Sequence, residues 1–447
     1  MDKKLIIPGV ILCADKKKSV LRNHCIEIAG DKIYDIRPFN KNETDKFPGE
    51  IISAEKMVLI PGFIQTHIHL CQTLFRGMAD DLELLDWLQL KIFPYENAHD
   101  KNSLKASVRL GLNELISGGT TTILDMGTLR HQEVVFDELV SSGVRAFAGK
   151  CMMDENDLFP SFKSDTKDEL KNTYELAKSF HNSSKGKIKY GFAPRFALSC
   201  STELLKETKE MMKDFDGSIF HTHSSENKSE INEVRKRYGR ENIDYFNSIN
   251  VLSDHTVLAH GIHTNDNEVN LLKKTNTRIS HCPSSNLKLG SGIANIPGYL
   301  KEGISVSLGA DGAPCNNSLS AFMEMRLAAL IQKPVHGATS MDAETVFRLA
   351  TIEGAKALHI DKEVGSIEIG KKADLVLLDL NSPDYSLVED NESIYSNIIY
   401  TATKDSVDSV MVDGDWKVKN KKSLIFDNKE LVSNGKSELN KLLERTS

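Results

Sequence analysis

Two histidines stand two residues apart in the segment FIQTHIH, at His67 and His69. In an extended strand, side chains at i and i+2 project to the same face, so both imidazoles address one point. An isolated pair of this kind fits two satisfied core histidines as well as two metal ligands. More residues of ligand type recur further along. HTHSSE carries His221, His223 and Glu226, LAHGIH carries His260, SHCPSSN carries His281, and LGADGAP carries Asp311. Each of these groups follows a short apolar run. Three imidazoles and one carboxylate form a nitrogen and oxygen donor set suited to zinc or ferrous iron, with a position left for water. The set read here is His67, His69, His223 and Asp311.

His221 and His223 share a face by the same alternation, so spacing alone leaves the ligand in this segment undecided. Glu226 favours His223, because H-x-x-E places an acid beside a metal-bound water, and His221 is then a packing or supporting histidine. His260 reads as a further ligand or as a group that hydrogen-bonds the water. His281 reads as a pocket residue or as the end of its strand.

The elements that must position these residues are legible between about 60 and 314. Eight short β-branched runs alternate there with stretches of helical periodicity. The runs are LIPGFIQTHIH, TTTILDMG, VRAFAGKCMM, IKYGFAPRF, GSIFHTHSSE, HTVLAHGIH, TRISHCPSSN and ISVSLGADGAP. Among the intervening stretches, SLKASVRLGLNELISGG and HQEVVFDELVSSG both stop at glycine, as helices do. Eight βα units predict a closed (β/α)8 barrel of the TIM type, whose catalytic face lies at the C-terminal strand ends. No G-x-G-x-x-G opens the first unit, which weighs against a dinucleotide fold. Both flanks are strand-like, with LIIPGVILC and CIEIAGDKIYDIRP before the barrel and GKKADLVLLDL and VDSVMVDGDWKVKN after it. They predict a small β-sandwich domain built from both chain ends. The expected organisation is 1–57 and 366–447 for that domain, the second part ending in a helix, and 58–365 for the barrel. AETVFRLATIEGAKALHI reads as one helix near the barrel's end.

Composition narrows the partners. A net charge of -7 would repel a polyanion, so nucleic acid is not expected. No run of about 18 apolar residues occurs, so no membrane span is expected. MDKKLIIPGVILCAD passes directly into DKKK without a cleavage site, and the expectation is a cytoplasmic protein. Seven scattered cysteines without C-x-x-C read as buried thiols.

With PGFIQTHIHLCQTLFRGMADDLELLDWL, HTHSSE, LAHGIH, SHCPSSNLKLGSG, LGADGAPCNNSLSAFMEMRLAALIQK and GSIEIGKKADLVLLDL set side by side, the chain resembles the amidohydrolase superfamily over nearly its whole length. Within it, the resemblance is to the aminohydrolases that include S-adenosylhomocysteine, methylthioadenosine and 5′-deoxyadenosine deaminases and the triazine hydrolases. That resemblance implies one divalent ion, zinc or iron, on His67, His69, His223 and Asp311, with Glu226, His260 and Asp311 catalytic. The dinuclear branch carries a carboxylated lysine on the fourth strand, where this chain has Arg195, so a single metal is implied. The implied reaction is hydrolytic deamination of a small heterocycle, an adenosine-like nucleoside first. Asp311 would take the water's proton, His260 would orient the attacking oxygen, and Glu226 would protonate the ring nitrogen. Glu96 matches the acid placed on the ribose hydroxyls, with a solvated surface acid as the alternative. Trp87 would wall the adenine or else anchor a helix. Where homocysteine-binding members carry an arginine on the third strand and a histidine on the fourth, this chain has Lys150 and Arg195, either of which could contact a carboxylate or ribose. Guanine, a pterin, a triazine or cytosine are the competing rings, and a noncatalytic scaffold is the competing class. Members of this group form homodimers or larger assemblies, so a homo-oligomer is compatible with the resemblance.

Overall fold

The computed structural model of the chain describes residues 3–157, 159–388 and 390–446. Eight parallel strand positions alternate with helices. They are β1 Phe63–His69, β2 Thr120–Asp125, β3 Arg145–Ala148, β4 Ile188–Pro194, β5 Ile219–Ser224, β6 Thr256–His260, β7 Arg278–His281 and β8, which is split into Val306–Leu308 and Asp311–Gly312. The split closes the ring. Val306–Leu308 pairs with β7, and Asp311–Gly312 pairs with β1, Asp311 opposite Ile68. All eight runs read from the sequence coincide with these strands.

The closure requires backbones to approach closely at one point. A Cβ on Gly309, between the two halves of β8, would stand 2.6 Å from the His67 carbonyl oxygen and 2.9 Å from the His67 Cβ. Only glycine admits that contact, so the residue that lets β8 reach β1 also fixes a candidate ligand. The opposite end of the barrel is sealed by an apolar layer in which Ile64, Leu124, Phe147, Ile219 and Val257 meet Ile352, Ala355 and Leu358. Polar chemistry is thereby confined to the C-terminal strand ends.

The segment read as one helix over 343–360 is two, Ala343–Leu349 and Ile352–Ala357. Thr351 between them has φ -128° and ψ -98°. The Ala350 carbonyl turns out to accept from the Ile64 amide at 2.8 Å. A tertiary hydrogen bond to β1 thus overrides a local propensity that favours continuation. The N-terminal flank also holds one short 3-10 turn, Lys41–Lys46, where only strands were expected.

The small domain draws on both flanks in one mixed sheet. Glu50–Pro61 lies at its centre, parallel to Lys3–Leu12 and antiparallel to Leu375–Asp379. The sheet has its own apolar cluster, including Ile6, Ile26, Leu59, Leu375 and Met411. The terminal helix, Asn428–Glu444, packs back on the barrel helix Lys101–Ser117. Arg145, buried at the start of β3, joins the two parts by holding Asp374 at 3.2 Å and also pairing with Asp413.

Replacing Gly309 with alanine should lower stability by about 1–3 kcal/mol, as overpacking at a tight contact does. It should also reduce bound metal per chain. Urea denaturation with metal analysis checks this, and wild-type values for both would refute the close-approach account.

Candidate metal centre

His67 and His69 end β1, His223 is the fifth residue of β5, His260 ends β6, and Asp311 opens the second half of β8. One potential ligand atom from each of His67, His69, His223 and Asp311 lies within 4.8 Å of the other three, and all four side chains are nearly or fully enclosed. Asp311 Oδ1 is 3.2 Å from His67 Nε2 and 3.3 Å from His69 Nε2, and His69 Nε2 is 3.2 Å from His223 Nε2. The outward nitrogens of two rings are already engaged. His67 Nδ1 meets His221 Nε2 at 2.7 Å, and His223 Nδ1 donates to the Arg195 carbonyl at 2.7 Å. Both rings therefore turn a lone pair at Nε2 inward, the arrangement that metal-binding histidines use. His67 Nε2 is buried without a hydrogen-bond partner, which is costly unless something else occupies the centre. A divalent ion fits this donor set. His221 lies behind His67 as a supporting residue, and spacing alone could not have distinguished it from His223.

The electrostatics agree with a cation at the centre. Burial holds the imidazoles of His67, His69 and His223 below their usual protonation range, aided at His69 and His223 by the neighbouring rings, so these rings stay neutral and able to ligate. Burial would raise the Asp311 carboxyl, but His67, His260 and His69 beside it outweigh that and keep it ionised. Glu226 is the reverse case. Burial, then Asp311 and Glu230, push its carboxyl well above the usual range, which favours its protonated form.

Asp311 and Glu226 are linked through His260. His260 Nε2 stands 3.4 Å from Glu226 Oε2 and 3.9 Å from Asp311 Oδ2, and its Nδ1 bonds Asn286 Oδ1 at 2.8 Å. The backbone at three strand ends is left-handed, with φ of 55° at Ser225, 73° at His260 and 61° at Asp311. Such a conformation costs about 1–2 kcal/mol for a residue with a side chain. It is held by surrounding hydrogen bonds. Ile262 and His263 amides donate to the Ser225 carbonyl at 2.9 and 3.0 Å, while the Ala310 amide donates to Gln65 Oε1 at 3.0 Å. The Ala310 carbonyl accepts from Asn316 at 2.7 Å.

The cleft over these groups is walled by Leu84, Trp87, Leu88, Phe196 and Leu289, with Gln72 and Arg195 also on its lining. Trp87 is thus a wall residue and is buried as well. Glu96 is buried rather than a solvated surface acid, and lies behind Arg195, whose Nη1 is 2.8 Å from Glu96 Oε2. Lys150 is not brought to this wall. Its ammonium is buried against Glu169 Oε2 at 2.5 Å, because a lysine so placed needs a counter-charge of its own. His281 is fully buried off the lining, neither ring nitrogen has a partner, and burial lowers its pKa to about 3. Sequence reasoning passed over Gln72 and Asn286. Their signal was a lone amide in each of two stretches, HLCQTLF and HCPSSN, close to a histidine already singled out.

A closed barrel with a buried three-histidine, one-aspartate centre at its C-terminal face defines a metallohydrolase class. The model of the amidohydrolase family matches residues 58–417, and the chain belongs to that family. It is 38% identical over 388 residues to a 5'-deoxyadenosine deaminase of Methanosphaera stadtmanae, covering 87% of this chain and 88% of that one. It is 34% identical over 444 residues to a 5-methylthioadenosine/S-adenosylhomocysteine deaminase of Thermoanaerobacter pseudethanolicus, covering 99% and 100%. A solved adenosine deaminase from Xanthomonas campestris, with bound zinc, superposes with a TM-score of 0.91 over 99% of both chains at 26% identity.

His223→Ala should leave the fold intact by circular dichroism and strip the purified chain of most of its metal by elemental analysis. His221→Ala should retain more. Equal metal in His223→Ala and wild type would remove His223 from the ligand set.

Proposed function

We propose that this chain is a metal-dependent hydrolytic deaminase of an adenosine-like nucleoside, giving the inosine analogue and ammonia. The observation that carries the reading is geometric: beside the cluster of His67, His69, His223 and Asp311, His260 Nε2 stands 3.4 Å from Glu226 Oε2 and 3.9 Å from Asp311 Oδ2. The Glu226 carboxyl is pushed up and that of Asp311 down, and two carboxyl groups driven apart in this way suit an acid and a base. The names of the relatives and the amidohydrolase membership support the adenosine ring. We assign zinc as the ion, on the donor set and on the zinc of the Xanthomonas campestris structure.

His67, His69, His223 and Asp311 would hold the ion, which when bound lowers the pKa of its water toward about 7. Asp311 takes one water proton at its carboxylate. Asn286 fixes the His260 ring, so that Nε2 faces the attacking oxygen and orients it. Glu226 gives its proton to the ring nitrogen beside the carbon that bears the amine, which lets that carbon accept the new C–O bond. Asp311 then passes its proton to the amine as the C–N bond breaks and ammonia leaves. The remaining proton on the new oxygen restores Glu226, and the keto ring departs. The Glu230 carboxylate positions Glu226 by accepting from its amide at 2.8 Å. The apolar wall keeps bulk water from the acid, which keeps Glu226 protonated until it acts.

Glu226→Gln should keep full metal content and lose about 10²–10⁴ in kcat for ammonia release from methylthioadenosine or 5′-deoxyadenosine, the usual worth of a general acid. Chelation should abolish wild-type activity, and zinc should restore it. A Glu226→Gln variant with near-wild-type kcat, or activity that persists after complete metal removal, would sink the mechanism.

A further inference from the structure

Arg195 is the one permanently charged cation on the cleft lining among the described residues. That charge is already answered inside the protein. Arg195 Nη1 lies 2.8 Å from Glu96 Oε2, and the two side chains are 4% and 3% exposed. The other carboxylate oxygen, Glu96 Oε1, accepts from Gln72 Nε2 at 2.8 Å, and the guanidinium sits 5.1 Å over the Phe93 ring. Lys150, at the end of the neighbouring strand, is closed off in the same manner by Glu169. The two acids on the lining, Glu226 and Asp311, face the ligand cluster and His260. Apart from His69 and His223 of the ligand cluster and the uncharged Gln72, what remains of the wall is Leu84, Trp87, Leu88, Phe196 and Leu289. A ligand group bearing a full charge would lose water there and find no counter-charge, whereas an alkyl or thioether group would gain contact.

Resting on the deaminase reading above, we propose that the cleft selects nucleosides whose 5′ substituent is uncharged, and that the Arg195–Glu96 pair is the specificity-determining element. By occupying the guanidinium, Glu96 withholds the cation that a carboxylate-bearing tail would need. Hydrogen, methylthio and longer neutral alkylthio tails lie against the apolar wall. A zwitterionic amino-acid tail does not.

The test uses the zinc-loaded full chain and three substrates, namely methylthioadenosine, a neutral 5′-butylthio analogue close in length to a homocysteine tail, and S-adenosylhomocysteine. The expected kcat/KM values for the two neutral compounds fall within about tenfold of each other, and the zwitterion falls at least about 100-fold below both. Glu96→Gln, which frees Arg195, should narrow that gap by about tenfold or more. Turnover of S-adenosylhomocysteine comparable to methylthioadenosine overturns the inference. Equal slowness of the butylthio compound and the zwitterion overturns it too, because length rather than charge would then decide. An unchanged gap in a folded Glu96→Gln removes the pair as its cause, and the three-substrate comparison stands by itself if that variant does not fold. No turnover of methylthioadenosine overturns the inference, and no turnover of 5′-deoxyadenosine or adenosine either refutes the deaminase reading with it.

Discussion

The whole C-terminal face of the barrel answers to one electrostatic constraint, the crowding of three imidazoles and a carboxylate into one largely buried space at the floor of the cleft. Inward nitrogens 3.2 Å apart and a carboxylate oxygen within 3.3 Å of two of them cannot be satisfied by one another. Protonating the rings would supply donors, but burial opposes it at each of the three histidines. A divalent cation resolves the conflict by giving every lone pair a partner and the carboxylate a counter-charge. The remaining features of the site, from the buried Glu226 carboxyl to the strained strand ends, are arranged around that resolution.

Holding such a cluster takes a rigid frame, because the four groups repel or desolvate one another without the ion. The barrel supplies it by distributing them over three strands, and by making the strand that carries Asp311 pair directly with the strand that carries His67 and His69. The left-handed backbone at Ser225, His260 and Asp311 belongs to the same frame. At three turns, a cost of about 1–2 kcal/mol each is small beside the hydrogen bonding that fixes them, and it aims the side chains across the barrel mouth rather than along it.

The barrel and its eight strands were legible in the sequence because period-2 apolar runs and glycine stops are local signals, and so was the clustering of His67, His69, His223 and Asp311, because each lies at the end of such a run. The break at Thr351 was not, since the hydrogen bond from Ile64 that produces it joins residues nearly three hundred positions apart. Choosing His223 over His221 leaned on Glu226, because the pleat gives both the same direction. Only the structure shows His221 spent on the back of His67. Glu96 and Lys150 show the limit of residue type as a guide. Both were candidates for substrate contact by type and place; Glu96 is paired with Arg195 behind the wall and Lys150 with Glu169 away from it, and these partners come from other segments of the chain.

The supports of the site run around the barrel in sequence. His67 leans on His221 of β5, His223 on the carbonyl of Arg195 after β4, His260 on Asn286 after β7, and Asp311 on a turn braced by Gln65 of β1 and Asn316 beyond β8. Glu324 ties the last two of these regions, accepting from the Ser284 amide at 3.1 Å and from Asn316 at 2.8 Å. His67, His223 and His260 are thus each oriented by a different strand or loop from the one that bears them. Displacing one member shifts the support of the next, so losses from combined substitutions should depart from additivity, as they do where side chains share one network. A ring of mutual supports also accounts for the close backbone approach at Gly309, since small errors in strand placement at that seam would pass to every ligand in turn.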